Sequence, residues 1–502
     1  MQIQEQRIFK GTSWGKVLST HGSFIAILGL AILLRFYHIG AESLWEDEIR
    51  SVQKTIDGTG LPPANLLRPA YYICLKVWML FSTSDAWLRS LSVLFGVGSV
   101  YLTYLLGYRL SSQATGLIAA LLLALSPLAI EQSQEVRMYA LGQFSGLVGT
   151  VLLAYGLENY QTRPLRWWTI ARLITCWTAP LNSALLMPDT VLATLRLRKQ
   201  PRVLAAYCIW LIILCGVWTL SFIRLVEATP TYMSGFVEKI SRPTAISFLG
   251  ILRTFTTYSS PAAGEVVSVW GERFADAFVL VLAGVLVVAL WKRSQLGRLS
   301  WAFAWGYLPL AAIFATSYVT NSIWLGRYLS FTAPYILILL AAGFVWIWQR
   351  WRIVAVGVIT VYSIAITTGL HHYYTTENRA DWRSVAQIIS VSETPEDAVY
   401  LFPASDRQGL EYYYKGSLPI TGNFLRHDQP DARKLASELN RLTSTHDHLW
   451  LVLMYSQSDI GKQWRQAFQQ VIELNFHTEL HETVGGGLEL YQIQACFPSQ
   501  SC

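Results

Sequence analysis

Long apolar runs separated by short charged connectors dominate the first three quarters of the 502-residue chain. Runs close to the roughly 20 residues that a helix needs to cross a bilayer occur at 22–38, 86–109, 114–130, 139–157, 203–223, 274–291, 300–318, 328–348 and 352–370. Two shorter runs follow one another at 165–179 and 181–195; if both cross, about eleven helices span the membrane. The pattern predicts a mainly α, polytopic membrane protein. After His371 the hydropathy drops and the periods become those of a soluble chain, with helices expected at 381–391, 431–443 and 461–470 and strands at 398–403, 448–455 and 487–494. Residues 1–371 therefore read as a transmembrane domain whose first extracytoplasmic loop covers 39–85. Residues 372–502 read as a soluble extracytoplasmic α/β domain.

Composition strengthens this reading. The chain is 53% hydrophobic and 14% charged, where a soluble domain carries about a quarter charged residues. Its net charge of +7 gathers in connectors such as the one holding Arg196, Arg198, Lys199 and Arg202, while Glu42, Glu46, Asp47, Glu48, Asp57, Glu131 and Glu135 fall on the opposite side. By the positive-inside rule the N-terminus is expected to be cytoplasmic, and the basic excess reflects orientation and not nucleic-acid binding; the expected location is the plasma (inner) membrane. Arg7, Lys10 and Lys16 precede the first run with no small-residue cleavage site, so it is expected to stay as an uncleaved span. Of the six cysteines, Cys496 and Cys502 can bridge if the C-terminus is extracytoplasmic, with free thiols as the default. No cysteine–histidine cluster has metal spacing, His371 and His372 point apart, and no glycine-rich phosphate loop is present, so neither a metal nor another cofactor is expected.

Candidate chemistry lies at the extracytoplasmic rim. Leu44-Trp45-Glu46-Asp47-Glu48 opens a stretch in which Trp45, Ile49, Val52 and Ile56 form one stripe if residues 46–57 are helical, leaving Asp47 on the polar side. Adjacent side chains diverge, so Asp47 and Glu48 suit separate roles, one as base and one as orienter; Asp47 as a simple helix cap is the alternative. Arg68-Pro69-Ala70-Tyr71-Tyr72 offers a planar cation suited to phosphate, or an interfacial anchor. In the connector after the third run, Glu135, Arg137 and Tyr139 are placed to order the acidic loop or meet a substrate, or to form a salt-bridged helix end. Arg327-Tyr328 begins a later run, as a second phosphate contact or a snorkelling terminal charge. The segment 166–195 is irregular, with Arg172 inside one apolar run and Pro180 and Pro188 near the next.

Taken together, Leu44-Trp45-Glu46-Asp47-Glu48, Arg68-Pro69-Ala70-Tyr71-Tyr72, Ser133-Gln134-Glu135-Val136-Arg137-Met138-Tyr139 and Arg327-Tyr328 resemble the GT-C glycosyltransferases, in particular the branch of protein O-mannosyltransferases and lipid A aminoarabinose transferases. The resemblance covers the whole membrane part and implies a GT-C fold. It also implies inverting sugar transfer from a polyprenyl-phosphate-linked donor, without a metal, to a lipid, protein or glycan acceptor. Asp47 matches the family's catalytic aspartate and Glu48 its acidic neighbour; Arg68, Arg137 and Arg327 become candidates for the lipid phosphate, with Tyr71, Tyr72, Glu135, Tyr139 and Tyr328 in support. Many relatives have His-Pro-Pro or Lys-Pro-Pro where this chain has Arg68-Pro69-Ala70, which keeps the cation and loses a proline. Asp381-Trp382-Arg383 after the last run also looks like bacterial relatives but implies no chemistry. A transporter or flippase of lipid-linked glycans is the alternative; it calls for ionisable residues near mid-span, which most of these runs lack. A non-catalytic scaffold leaves the polar connector before Tyr139 unexplained.

Overall fold

A computed structural model describes residues 14–228, 240, 242–257, 284–285, 297–376, 379–423, 429–455 and 459–495. The apolar run at 274–291, all but two residues of which lie outside this set, and the pair Cys496 and Cys502 are not among the described residues. The chain divides into two compact units. One holds residues 1–39, 54–260 and 268–373; the other holds 40–53, 261–267 and 374–502. The acidic stretch thus belongs to the same unit as the C-terminal residues.

The first unit is helical. Its elements are α1 (Trp14–Phe36), the last residues of α2 (Glu46–Ile56), α3 (Ala70–Trp78), α4 (Asp85–Leu110), α5 (Gln113–Leu125), α6 (Pro127–Ser133), α7 (Tyr139–Asn159), α8 (Arg163–Thr178), α9 (Leu186–Leu197), α10 (Pro201–Ala228), α11 (Ala245–Thr256), α12 (Leu299–Val319), α13 (Ala333–Arg350) and most of α14 (Arg352–Thr375). Among the described residues six helices are long and apolar enough to cross a membrane, and seven if the bent pair α5–α6 counts as one span. That pair turns through 64°, because Pro127 has no amide hydrogen to continue α5 and Ser126 restarts the helix by accepting from the Ala129 amide. Helices α8 and α9, at 16 and 12 residues, fall short of a full crossing and are joined by a 3₁₀ turn, Pro180–Leu185.

Arg172, the charge inside an apolar run, is fully buried against Asp189 of α9. Arg172 Nε lies 2.6 Å from Asp189 Oδ2, and its other nitrogens donate to the Gly146 carbonyl at 2.6 Å and Thr150 Oγ1 at 2.8 Å. The indoles of Trp168 and Trp305 each donate to Asp189 at 2.8 Å. Hydrogen bonds thus serve both charges from every side, the condition under which a buried pair is tolerated. This ties α7, α8, α9 and α12 together and accounts for the irregularity read at 166–195.

The second unit is built on a five-stranded sheet, ordered β2 (Ile420–Gly422), β1 (Ala398–Phe402), β3 (Leu449–Met454), β5 (Leu488–Ala495), β4 (Phe476–Val484). β1 is parallel to β2 and β3, and β5 is antiparallel to β3 and β4. Helices α15 (Trp382–Ser392) and α16 (Arg407–Tyr413) cover one face through Val399, Leu401, Trp450 and Val452. The other face packs Tyr400, Phe402, Leu451 and Leu453 against α17 (Ala432–Thr443) and α18 (Asp459–Asn475). Burial on both faces explains why β1 and β3 read as unbroken apolar runs.

Candidate active site

The acidic stretch begins where α1 ends. His38 adopts a left-handed conformation with φ of 59°, which turns the chain out of the helix and leaves terminal carbonyls in need of donors. Gln134 supplies them: its amide nitrogen donates to the carbonyls of Arg35 at 2.9 Å and Tyr37 at 2.7 Å, and its oxygen accepts from the Tyr373 hydroxyl at 2.6 Å. Arg35, fully buried, donates to Ser133 Oγ at 3.1 Å and to the carbonyls of Leu123 and Ala124, which stand at the bend after α5. Ser133 and Gln134 are therefore occupied in fixing the end of α1.

Helix α2 carries the two candidate acids. Its stripe is buried at Ile49 and Val52 but ends there: Ile56 is exposed, because the helix stops at that residue before the turn at Asp57. Glu48 stands at the third helical position and its Oε2 reaches back to accept the Trp45 amide at 3.1 Å, half of a capping box. It is wholly buried and also meets Arg379 Nη1 at 3.3 Å. Asp47 is the second helical residue and not the cap; its carboxylate keeps a quarter of its surface exposed and lies 3.8 Å from Arg50 Nη1. Arg50 also pairs with Glu46 and donates to Gln408 Oε1 at 3.4 Å. Burial pushes the Glu46 carboxyl above its ordinary value against the pull of Arg50, with Asp406 and Asp47 adding to the rise. The two adjacent acids thus differ in kind: Glu48 is enclosed, Asp47 is presented.

In the helical unit, a cavity of about 550 Å³ is lined by Arg68, Arg137, Tyr139, Arg327 and Tyr328. Arg137 lies over the Tyr139 ring at 5.8 Å and Arg327 over the Tyr328 ring at 5.4 Å, so each planar cation rests on an aromatic face. Gln132 Nε2 and Ser330 Oγ, each at 3.0 Å, hold the carbonyl of Arg327. No carboxylate lines the cavity among the described residues. The rest of the wall combines apolar Leu181, Ala312, Ile313, Ile323 and Phe331 with polar Thr316 and Ser330.

Tyr71, Tyr72 and Glu135 are not on this wall. Tyr71 is buried, with its hydroxyl 3.4 Å from Ser92 Oγ. Ser92 in turn donates to the Glu135 carbonyl at 2.6 Å. Tyr71 and Ser92 thus brace the backbone at Glu135, two residues before Arg137. Sequence reasoning missed Asn182 and Ser183, which line the cavity from the 3₁₀ turn. A Cβ at Gly142 would lie 2.5 Å from Asn182 Nδ2, so α7 needs a glycine for that turn to approach. The signal available was Pro180, which breaks the helical run just before them.

No protein-family model matches the sequence, and no curated protein does. Solved structures do match. ArnT from Cupriavidus metallidurans, in the apo state and bound to undecaprenyl phosphate, superposes with a TM-score of 0.57 at 14% identity, covering 94% of this chain and 98% of that one. The oligosaccharyltransferase AglB of Archaeoglobus fulgidus, in complex with an inhibitory peptide and a dolichol-phosphate, gives 0.52 at 9% identity over 95% of this chain and 74% of that one. The chain is an integral membrane protein with the GT-C fold.

Proposed function

We propose that the protein is a glycosyltransferase of the plasma membrane, with a cytoplasmic N-terminus and a C-terminal unit outside. In this reading it moves a hexosyl or pentosyl group from a polyprenyl-phosphate carrier to a lipid, protein or glycan acceptor, with inversion at the sugar carbon. One observation carries the proposal: the three guanidinium groups of Arg68, Arg137 and Arg327 line a single cavity, a setting suited to a phosphate. The apolar part of its wall suits the first units of a polyprenyl tail. The solved neighbours bound to undecaprenyl phosphate and dolichol-phosphate supply the class of carrier.

The chemistry follows from the leaving group. As the acceptor oxygen bonds to the anomeric carbon, the carbon–oxygen bond to phosphate breaks and its electron pair goes to the phosphate. That oxygen needs fixed positive charge and no acid, which assigns Arg68, Arg137 and Arg327. The acceptor hydroxyl must lose its proton, and Asp47, the presented carboxylate, takes it. Glu48 orients the helix.

Membranes holding wild-type protein or Asp47→Asn, incubated with labelled polyprenyl-phosphate sugars and fractionated into lipid, protein and polysaccharide, test the proposal. Transfer by the wild type and a loss of about 10²-fold or more in the variant are expected, since removal of a general base costs about 10²–10⁴. Undiminished transfer by the variant removes Asp47 from the mechanism. Label carried across a sealed bilayer but never off its carrier turns the reading to a flippase.

A further inference from the structure

The segment after α14, which the sequence marked only by a family likeness, lies against the start of α2. We propose that Arg379 is a positioning residue for sugar transfer, holding the Asp47 helix in its working orientation from a seat on the glycine turn between β4 and β5. The inference rests on the assignment of Asp47 as base.

The seat comes first. Gly486 has φ of +74°, and a Cβ there would fall 2.1 Å from the Arg379 carbonyl oxygen and 2.6 Å from the Ala380 nitrogen. Only glycine allows both that dihedral and that approach. The Asp381 amide donates to the Gly485 carbonyl at 3.0 Å, closing the contact. Residues 379–381 are thus laid along the tip of the hairpin, which is itself built into the sheet through β5.

From this seat the segment grips the acidic stretch at successive points. Arg379 Nε is 3.4 Å from Glu42 Oε2 and its Nη1 is 3.3 Å from Glu48 Oε2, with the guanidinium only 11% exposed. Asp381 Oδ1 accepts from Ser43 Oγ at 2.6 Å, and Ser43 Oγ accepts from the Arg383 amide at 3.1 Å. The Leu44 amide donates to the Tyr413 hydroxyl at 2.7 Å. Glu48 passes the restraint to the Trp45 amide. Residues 42–45 and 48 are all held, while Asp47 between them keeps its carboxylate presented. A planar fork is needed at 379 because two carboxylates on different turns of the chain must be met at once.

Full-length protein in nanodiscs, assayed with labelled polyprenyl-phosphate sugar, tests this. Arg379→Gln should lower kcat by about 10- to 100-fold, the cost of misplacing a catalytic group by an ångström or so, with the donor KM within about threefold of wild type. Arg379→Lys should recover at least half of that loss on a logarithmic scale, since one carboxylate can still be met. Added to Asp47→Asn, the glutamine change should cost nothing further. A wild-type kcat in Arg379→Gln, a loss confined to KM, or a lysine no better than glutamine overturns the proposal. If Arg379→Gln fails to accumulate, Ser43→Ala carries the test: it removes one hydroxyl, and a kcat lowered by about threefold or more supports the proposal while an unchanged one overturns it. An active Asp47→Asn would instead overturn the base assignment itself, so the two failures separate.

Discussion

The helical unit gathers arginines in two places, and they are opposites. Arg172 has Asp189 as its counterion, two indoles and a threonine completing the shell, and no exposed surface. Arg68, Arg137 and Arg327 are half-buried around a cavity that no carboxylate lines among the described residues. The first arrangement satisfies every charge from within the chain, so it stabilises a packing and has nothing left to bind. The second sets three guanidinium groups on the wall of a cavity, the place proposed here for the lipid phosphate. An intramembrane charge is thus a poor guide to function until its partners are known, and Arg172, fully buried and fully paired, is not available for chemistry.

The contrast can be broken by substitution. Arg172→Ala strands Asp189 and should cost about 3–5 kcal/mol, read as loss of folded, detergent-extractable protein; Arg172→Met with Asp189→Leu should restore most of it, and a pair required for turnover would instead stay inactive. Arg68→Ala should leave melting unchanged and raise the apparent KM for the lipid-phosphate donor by about 10- to 100-fold, following the roughly 1.5–3 kcal/mol of a hydrogen bond to a charged group, while the acceptor KM stays put. Equal effects on both substrates would count against the cavity as phosphate site.

The smallest effect belongs to the second unit, where a carboxylate is satisfied as Asp189 is. Asp397 accepts from the Thr394 amide and hydroxyl, His448 and Trp450, and although burial works to raise its carboxyl, these hydrogen bonds together hold it below its ordinary 3.8. Its stabilisation is complete above that value and is lost as pH falls through the lower folded one. Melting temperatures compared between about pH 4.5 and about pH 2.5 should fall more steeply for wild type than for Asp397→Asn.

What could be read in advance followed the range of the interaction. The runs that became α4, α7, α12 and α14 were legible because a membrane demands unbroken apolarity, and β1 and β3 because both faces are buried. β4 was missed: as an edge strand it alternates half-buried and exposed positions, and Phe476–Val484 reads as a polar loop. The 3₁₀ turn that brings Asn182 to the cavity was visible only as a proline. Ser133-Gln134-Glu135-Val136-Arg137-Met138-Tyr139 was visible as a unit, but its division into a brace for α1 and a wall of the cavity was not.

The sequence by itself determined a membrane protein with a soluble end, an acidic stretch after the first helix and a small set of arginines at one rim, because hydropathy and charge are properties of each residue where it stands. Tertiary structure alone decided which of those charges are satisfied. Arg172 finds Asp189 across 17 positions and Arg379 finds Glu48 across 331; no local period records such pairs, since they depend on where the backbone returns and not on what lies beside it.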